Sequence, residues 1–407
     1  MQQNTKTYLI LAALWLLMFA SSSQFFIMAP ILSEVGEQLN IKEGVRGTLI
    51  TSYAFSLGLF ALIIGPISDK IGRRKILLWG SGAMTVSLAM HFLAHDYFSM
   101  LTIRSIAGMS GGILTGSCVA YIGDYFPIQR RGWANGVIAT GSAAGQIIGI
   151  PIGTIMADVY GFASPFLLFA GVMVIAFFGI RLFVPQPSVV RNTNRITVAK
   201  VVHEYGRMLR NRKMLATAGG YFLAFLSITV YIVYLPTWLE DEFCASSHEI
   251  AMLFLVGGLA TIIGGPLSGR LADNRGRKTV LIAASIGLAA IMAMTTLILY
   301  RNMTSAYFLF FTLMLMISSR MIPFQALASD ITPGHTRGKL MCLTIAIGQL
   351  GMGLGSAIAG FTYTSFGFIG NSLIGATAVI LMAILVWRLI PETHEAPIEE
   401  EAALERA

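Results

Sequence analysis

The chain has 407 residues, 55% of them apolar and only 12% charged, with a formal net charge of +8. A soluble domain carries roughly 25% charged residues, so the composition excludes an ordinary water-soluble protein and points to one dissolved in a bilayer. The cations are spread over many short segments rather than gathered on one face, and no nucleic-acid partner is expected.

Crossing about 30 Å of hydrocarbon takes roughly 20 apolar residues. About 12 such runs are predicted, near 7–32, 44–66, 76–94, 97–123, 133–157, 163–184, 214–238, 248–269, 279–300, 304–328, 339–361 and 368–390. The expected fold class is all-α, a polytopic membrane protein. The first run begins like a secretory signal, with Lys6, an apolar stretch and Ala20-Ser21-Ser22-Ser23. Its apolar character resumes from Phe25 to Leu32, which makes it too long for a signal peptide.

Between the second and third runs lies GPISDKIGRRK, from Gly65 to Lys75. A near copy, GRLADNRGRK from Gly269 to Lys278, joins the eighth and ninth. In both, an Asp (Asp69, Asp273) follows the opening Gly, and Gly72 or Gly276 precedes paired cations. Further pairs keep one register of about 206 positions: Pro30 with Pro236, Asp124–Gly132 with Asp330–Gly338, and Gly145 and Gly149 with Gly351 and Gly355. Chance similarity between apolar helices would not keep polar loop residues aligned. The chain therefore reads as a six-helix bundle (1–184), a linker (185–213), a second six-helix bundle (214–390) and a tail (391–407). Parallel halves of this kind are expected to hold a site between them at mid-membrane depth.

The stretches Lys70–Lys75, Arg130-Arg131, Arg191–Lys213 and Arg270–Lys278, and Arg337 with Lys339, fall on alternate connections. The other connections carry only Lys42, Arg46 and Arg301, together with acids such as Glu34, Glu37, Asp96, Asp158, Glu240 and Asp241. Cytoplasmic loops retain Lys and Arg, so both termini are expected in the cytoplasm of a bacterial inner membrane. Within the linker, Val198, Val201, Val202, Tyr205 and Leu209 share a helical face opposite cations, as an interfacial helix would. The acidic tail reads as a solvated end.

Charges within hydrocarbon are costly and mark function by default. Arg104 falls in the outer part of the fourth helix and Arg320 near the middle of the tenth, and they are not repeat equivalents. No Asp or Glu lies well inside a span, and Gln24 cannot titrate. Two mid-depth arginines predict a positive cavity and an anionic solute; a purely structural role, bonding carbonyls of a neighbouring helix, is the alternative. Gln24, Tyr53, Gln146, Tyr231, Tyr234, Gln325 and Gln349 are the candidate hydrogen-bonding residues, with Met and Phe as an adaptable wall. His91 reads as a bonded interfacial histidine more readily than as a proton carrier. Gly108–Gly112 and the ladder Gly141, Gly145, Gly149 open smooth faces for close helix approach, and Pro151 marks a bend or hinge. Cys118, Cys244 and Cys342 have neither metal-ligand nor disulfide spacing. There is no nucleotide loop, metal cluster or nucleophile–base arrangement, so neither an enzyme nor a cofactor is expected.

Over essentially its full length, the chain resembles a major facilitator superfamily transporter. The loop Gly65–Lys75 is similar to that family's hallmark between helices two and three, and Arg104 with Gly108 to its fourth-helix Arg motif. Gly145–Phe166 resembles the Gly/Pro pattern of the drug and sugar efflux branch, which includes arabinose-efflux-like permeases; Ile150 separates Gly149 from Pro151, which are adjacent in the commoner antiporter form. The resemblance implies alternating access and a charge relay of Asp69, Arg73 and Asp124, with Asp273, Arg277 and Asp330 as its repeat counterpart. Such latches would hold the inner gate in the outward-open state. The plain alternative is that the loops only satisfy the positive-inside rule. Many efflux relatives carry an acid where this chain has Gln24, which leaves proton coupling open. The expected partners are a small organic solute and membrane lipid, with the protein a monomer. Efflux is favoured by the resemblance. Uptake or exchange of an organic anion, and a non-transporting receptor of the same fold, are the alternatives.

Overall fold

The structure is a computed structural model and describes residues 2–187, 198–298, 302–331 and 334–392. The first part of the linker and nearly all of the tail lie outside the described residues, as do the side chains of Asp69, Val198, Val201 and Val202.

Every regular element among the described residues is helical. Helix α1 (Gln2–Phe26) is followed by the short α2 (Leu32–Gln38) and α3 (Glu43–Arg46), then by α4 (Thr48–Ile71), α5 (Arg73–Met90) and α6 (Tyr97–Tyr125). Next come α7 (Ile128–Ala144), α8 (Ile150–Tyr160) and α9 (Ala163–Phe183), and then the amphipathic linker helix α10 (Val198–Leu209). The second half comprises α11 (Arg212–Ile232), α12 (Leu235–Phe243), α13 (Ser247–Arg275), α14 (Arg277–Ile298), α15 (Met303–Asp330) and α16 (Gly334–Leu389). Among the described residues, eleven helical stretches are long and apolar enough to cross a membrane. The last of them breaks at Gly367, whose φ of 66° lies in the left-handed region glycine tolerates, so it supplies two crossings. The twelve predicted spans are thereby accounted for.

Local chemistry sets several boundaries. Asp96 and Ser246 each form a capping box, with Ser99 and Glu249 respectively, and so start α6 and α13. Pro30 falls in the turn after α1 and Pro236 in the first turn of α12, where a missing backbone N–H is tolerated. Pro151 cannot donate to the carbonyl one turn earlier, and just before it the helix widens into a π turn, Gly145–Gly149. The predicted bend region is thus a local change of helical pitch.

Helices α1 and α4 to α9 pack as one bundle, and α11 to α16 as the other. Lipid supplies no hydrophobic drive between helices, so close backbone approach matters. A Cβ on Gly108 would lie 2.2 Å from the Tyr53 carbonyl oxygen, and one on Gly351 2.2 Å from that of Phe222. The bundles meet along α4 against α16 and α8 against α13. One end of the molecule bears the basic loops around Gly72 and Gly276 and is called the basic end. The other bears Glu34, Glu37, Asp158 and Glu240 and is called the acidic end.

Candidate functional site

A cavity of about 400 Å³ lies between the bundles. Phe25 and Phe26 from α1 and Ile150 from α8 face Phe225 and Ile228 of α11, Phe254 of α13, and Phe310, Met314 and Met321 of α15. Its polar lining is Gln146, Thr229, Thr261 and Gln349. Among the described residues, neither a basic nor an acidic side chain lines it. Thr229 and Thr261 turn their hydroxyls back onto the helix carbonyls of Phe225 and Gly257, as threonine does in apolar helices. Two amides, one from each bundle, are the remaining polar handles.

Of the predicted contact residues, Gln146 and Gln349 line this cavity. Both arginines lie elsewhere, so the expected positive lining is absent from the described residues. Arg104 is fully buried inside the first bundle, where it donates to the side-chain oxygen of Gln24 at 3.1 Å and to its carbonyl at 3.4 Å. Its guanidinium sits 4.6 Å from the Tyr53 ring centre, and Gln24 donates to the Tyr53 hydroxyl at 2.8 Å. These three residues form a buried polar knot joining α1, α4 and α6, and a charge held by π faces and amide oxygens needs no carboxylate nearby. Arg320, also fully buried, donates to the Ala224 carbonyl of α11 at 3.3 Å. Tyr231 is enclosed in the second bundle against Thr295, and Gln325 is exposed.

Tyr234 lies at the acidic end, between the bundles. Its hydroxyl donates to the Glu43 carbonyl at 2.5 Å and accepts from the Gly47 N–H at 3.2 Å. Ser356 donates to the Gly47 carbonyl at 2.6 Å and Thr51 to that of Gly353 at 2.7 Å. Ser33 meets Thr237 at 2.9 Å, and Ser247 donates to Asp158 at 2.8 Å. Gly47 has no room for a side chain, since a Cβ would fall 2.1 Å from the Ser356 carbonyl oxygen. This seam closes the acidic end with directional bonds between the two bundles. Its partners are largely backbone atoms, which residue identity alone does not reveal. Burial pushes the Glu34 carboxyl above the usual range, and the nearby Glu37 and Asp158 add to the effect.

The bundles also touch at the basic end, through apolar side chains. Leu62 of α4 packs with Leu340 and Leu343 of α16 against Met208, Tyr205 and Leu209 of the linker helix, while Glu204 pairs with Lys339. Within the first bundle, Arg73 donates to Asp124 at 2.6 Å; within the second, Arg277 pairs with Asp330. The Asp69 side chain lies outside the described residues, and Asp273 is exposed. Both ion pairs exist while the acidic end is closed, and each stays within its own bundle. The second cation of each loop has a different task. The Arg74 guanidinium caps the Arg181 carbonyl at the end of α9, and Lys278 reaches the carbonyls of Trp387 and Ile390 at the end of α16. Gln186 and Glu392 accept, each at 3.1 Å, the backbone N–H groups of Arg74 and Lys278. The sequence reading missed these two partners; their equal placement beyond helices six and twelve was the available signal. Of the hinge residues, Gly149 faces Ser23, whose Oγ would lie 2.1 Å from an added Cβ, and Gly145 faces the Phe19 carbonyl.

Known proteins agree with this architecture. The chain is 26% identical over 388 residues to YceJ of Bacillus subtilis strain 168, an uncharacterised MFS-type transporter, covering 93% of this chain and 96% of that protein. It is also 26% identical over 387 residues to the multidrug resistance protein MdtG of Proteus mirabilis strain HI4320, covering 92% and 94%. Among solved structures, a D-xylose–proton symporter superposes with a TM-score of 0.76 at 16% identity, covering 95% of this chain and 98% of that one. A bacterial homologue of the human lysosomal transporter Spinster, in an inward-facing and unoccupied conformation, gives 0.70 at 14% identity, with 95% of each chain covered. A family model described as Major Facilitator Superfamily matches residues 14–219 and 217–406. The chain is an integral membrane protein and belongs to the Major Facilitator Superfamily.

Proposed function

We propose that the protein exports an uncharged, largely apolar small molecule through alternating access of the cavity between its two bundles. The single observation that supports this most directly is the cavity lining: aromatic and thioether side chains with two unionised amides and, among the described residues, no formal charge. A bare ion would lose its hydration there without gaining a partner. A volume of about 400 Å³ falls within the range of drug-sized ligand pockets. The multidrug resistance named for the MdtG relatives favours export, and the Lys/Arg distribution favours a cytoplasmic basic end. In this reading the closed acidic-end seam is the outer gate, and the apolar contact around Leu62 is the inner one. The chain acts as a monomer, with residues 1–184 and 214–390 as its moving halves.

N-Phenyl-1-naphthylamine, an uncharged aromatic amine, is a suitable probe. In proteoliposomes its exchange should be saturable with the wild-type protein and lost in Thr261→Trp, which fills the cavity while leaving both gates intact. Equal exchange by the two proteins would overturn the assignment of the cavity as the cargo site.

A further inference from the structure

His91 occupies a 3-10 turn at the end of α5 and is completely buried. Its Nδ1 faces the carbonyl oxygens of Ser87 at 2.9 Å and Leu88 at 3.3 Å. Carbonyls only accept, so Nδ1 carries a proton, and in the neutral ring Nε2 is then the bare nitrogen. That Nε2 is enclosed without a hydrogen-bond partner. The ring stacks on Phe166 at 3.9 Å, and the Arg104 guanidinium lies 5.8 Å from the centre of the same Phe166 ring. Nε and Nη2 of Arg104 are likewise enclosed without partners. Unpaired buried polar atoms are rare enough to need an explanation. Here a basic nitrogen and a cation are neighbours in a bundle with no fully buried acid among its described residues.

We propose that Nε2 of His91 is a proton-binding site that couples proton entry to the cargo cavity through Arg104. The proposal rests on the transport reading above. In this proposal the ring is neutral while the seam is closed. A proton on Nε2 would set a second positive charge beside Arg104 in a low-dielectric interior. The least costly response is to open the acidic end, where water reaches the imidazolium. The proton comes from acidic-side water and later returns to water on the opposite side. Arg104 transmits the change because it holds Gln24, and the next two residues, Phe25 and Phe26, are cavity wall. Arg104 is the charged group that bears on His91 from the packed helices; Phe166 of α9 and Gln24 of α1 are neutral, while His95 and Asp96 of the following turn are exposed.

The decisive variant is His91→Asn, whose amide can keep the donation to Ser87 but cannot titrate. Spin labels at Val45→Cys and Ser365→Cys, exposed positions on opposite bundles at the acidic end, report seam opening without any cargo, in a background with Cys244 and Cys342 replaced by Ser. Lowering the pH from about 7.5 to about 5.5, a window of about one unit either side of the usual histidine value, should raise the long-distance population in the wild-type protein roughly tenfold more than in His91→Asn. Rim carboxylates such as Glu34 act in the opposite sense, since their protonation favours closure, and both proteins retain them. With N-phenyl-1-naphthylamine, His91→Asn should lose acceleration by a pH gradient while gradient-free exchange stays within about twofold of wild type. An identical pH response in the two spin-labelled proteins overturns the proposal. Equal loss of driven flux and exchange also overturns it, since that marks a structural role. If the wild-type protein moves no probe, the cargo reading fails and the distance measurement alone decides on His91. Should His91→Asn not fold, His91→Gln replaces it with the same expectations.

Discussion

Single side chains at the acidic end bond the two halves to each other. The Tyr234 hydroxyl makes two bonds to the backbone of the opposite bundle, each worth about 1 kcal/mol net. Tyr234→Phe should therefore reduce the closed population on the order of tenfold, read as faster labelling of a cysteine placed at Ile50, on the cavity wall. Tyr363→Phe is the control, because Tyr363 bonds Asp241 within its own half; equal acceleration in both variants would contradict the role given to Tyr234. Tyr234 itself was visible in the sequence as a hydrogen-bonding candidate, whereas its position was not. Tyr53, Tyr231 and Tyr234 look alike in an apolar run, and only packing separates a knot residue, a core residue and a gate. The arginines show the same limit. Embedded charge singled out Arg104 and Arg320 in the sequence, but a guanidinium can be satisfied by carbonyls, amides and rings, so their burial says nothing about the charge of the cargo.

At the scale of helices, glycine sets which surfaces meet. A methyl group on Gly149 would overlap Ser23 of α1, so Gly149→Ala should destabilise the first bundle by about 1–3 kcal/mol. Ser23→Gly in the same protein should recover part of the loss, measured as melting temperature in detergent. Failure of the double variant to improve on the single one would place the strain elsewhere. The ion pairs of the basic loops are partly buried, so removing one carboxylate takes away charge compensation that water only partly replaces. Asp124→Asn should slow transport more than it lowers the melting temperature if the pair takes part in switching, whereas proportional losses would reduce it to a structural bond. These elements were legible because polar residues in loops hold register through a duplication. The caps supplied by Gln186 and Glu392 were not, since a lone polar residue after a span has no periodic signature. The π turn at Gly145–Gly149 was announced by Pro151, although its form depends on the packing of α1.

The whole molecule combines a polar closure at one end, an apolar closure at the other and an uncharged cavity between them. Twelve spans and two halves follow from hydropathy and repetition, which act over many residues and average out local ambiguity. The cavity wall has no such redundancy, because a Phe facing cargo and a Phe facing lipid are the same letter. That is why an anionic solute looked plausible from two arginines and why the lining favours an uncharged one. The most direct test compares N-phenyl-1-naphthylamine with a sulfonated analogue of the same ring system in the same proteoliposomes, both by gradient-free exchange. The account predicts saturable exchange of the uncharged amine and at least roughly tenfold slower exchange of the sulfonate. Faster exchange of the sulfonate, abolished by Arg320→Ala, would contradict it and restore the anionic cargo.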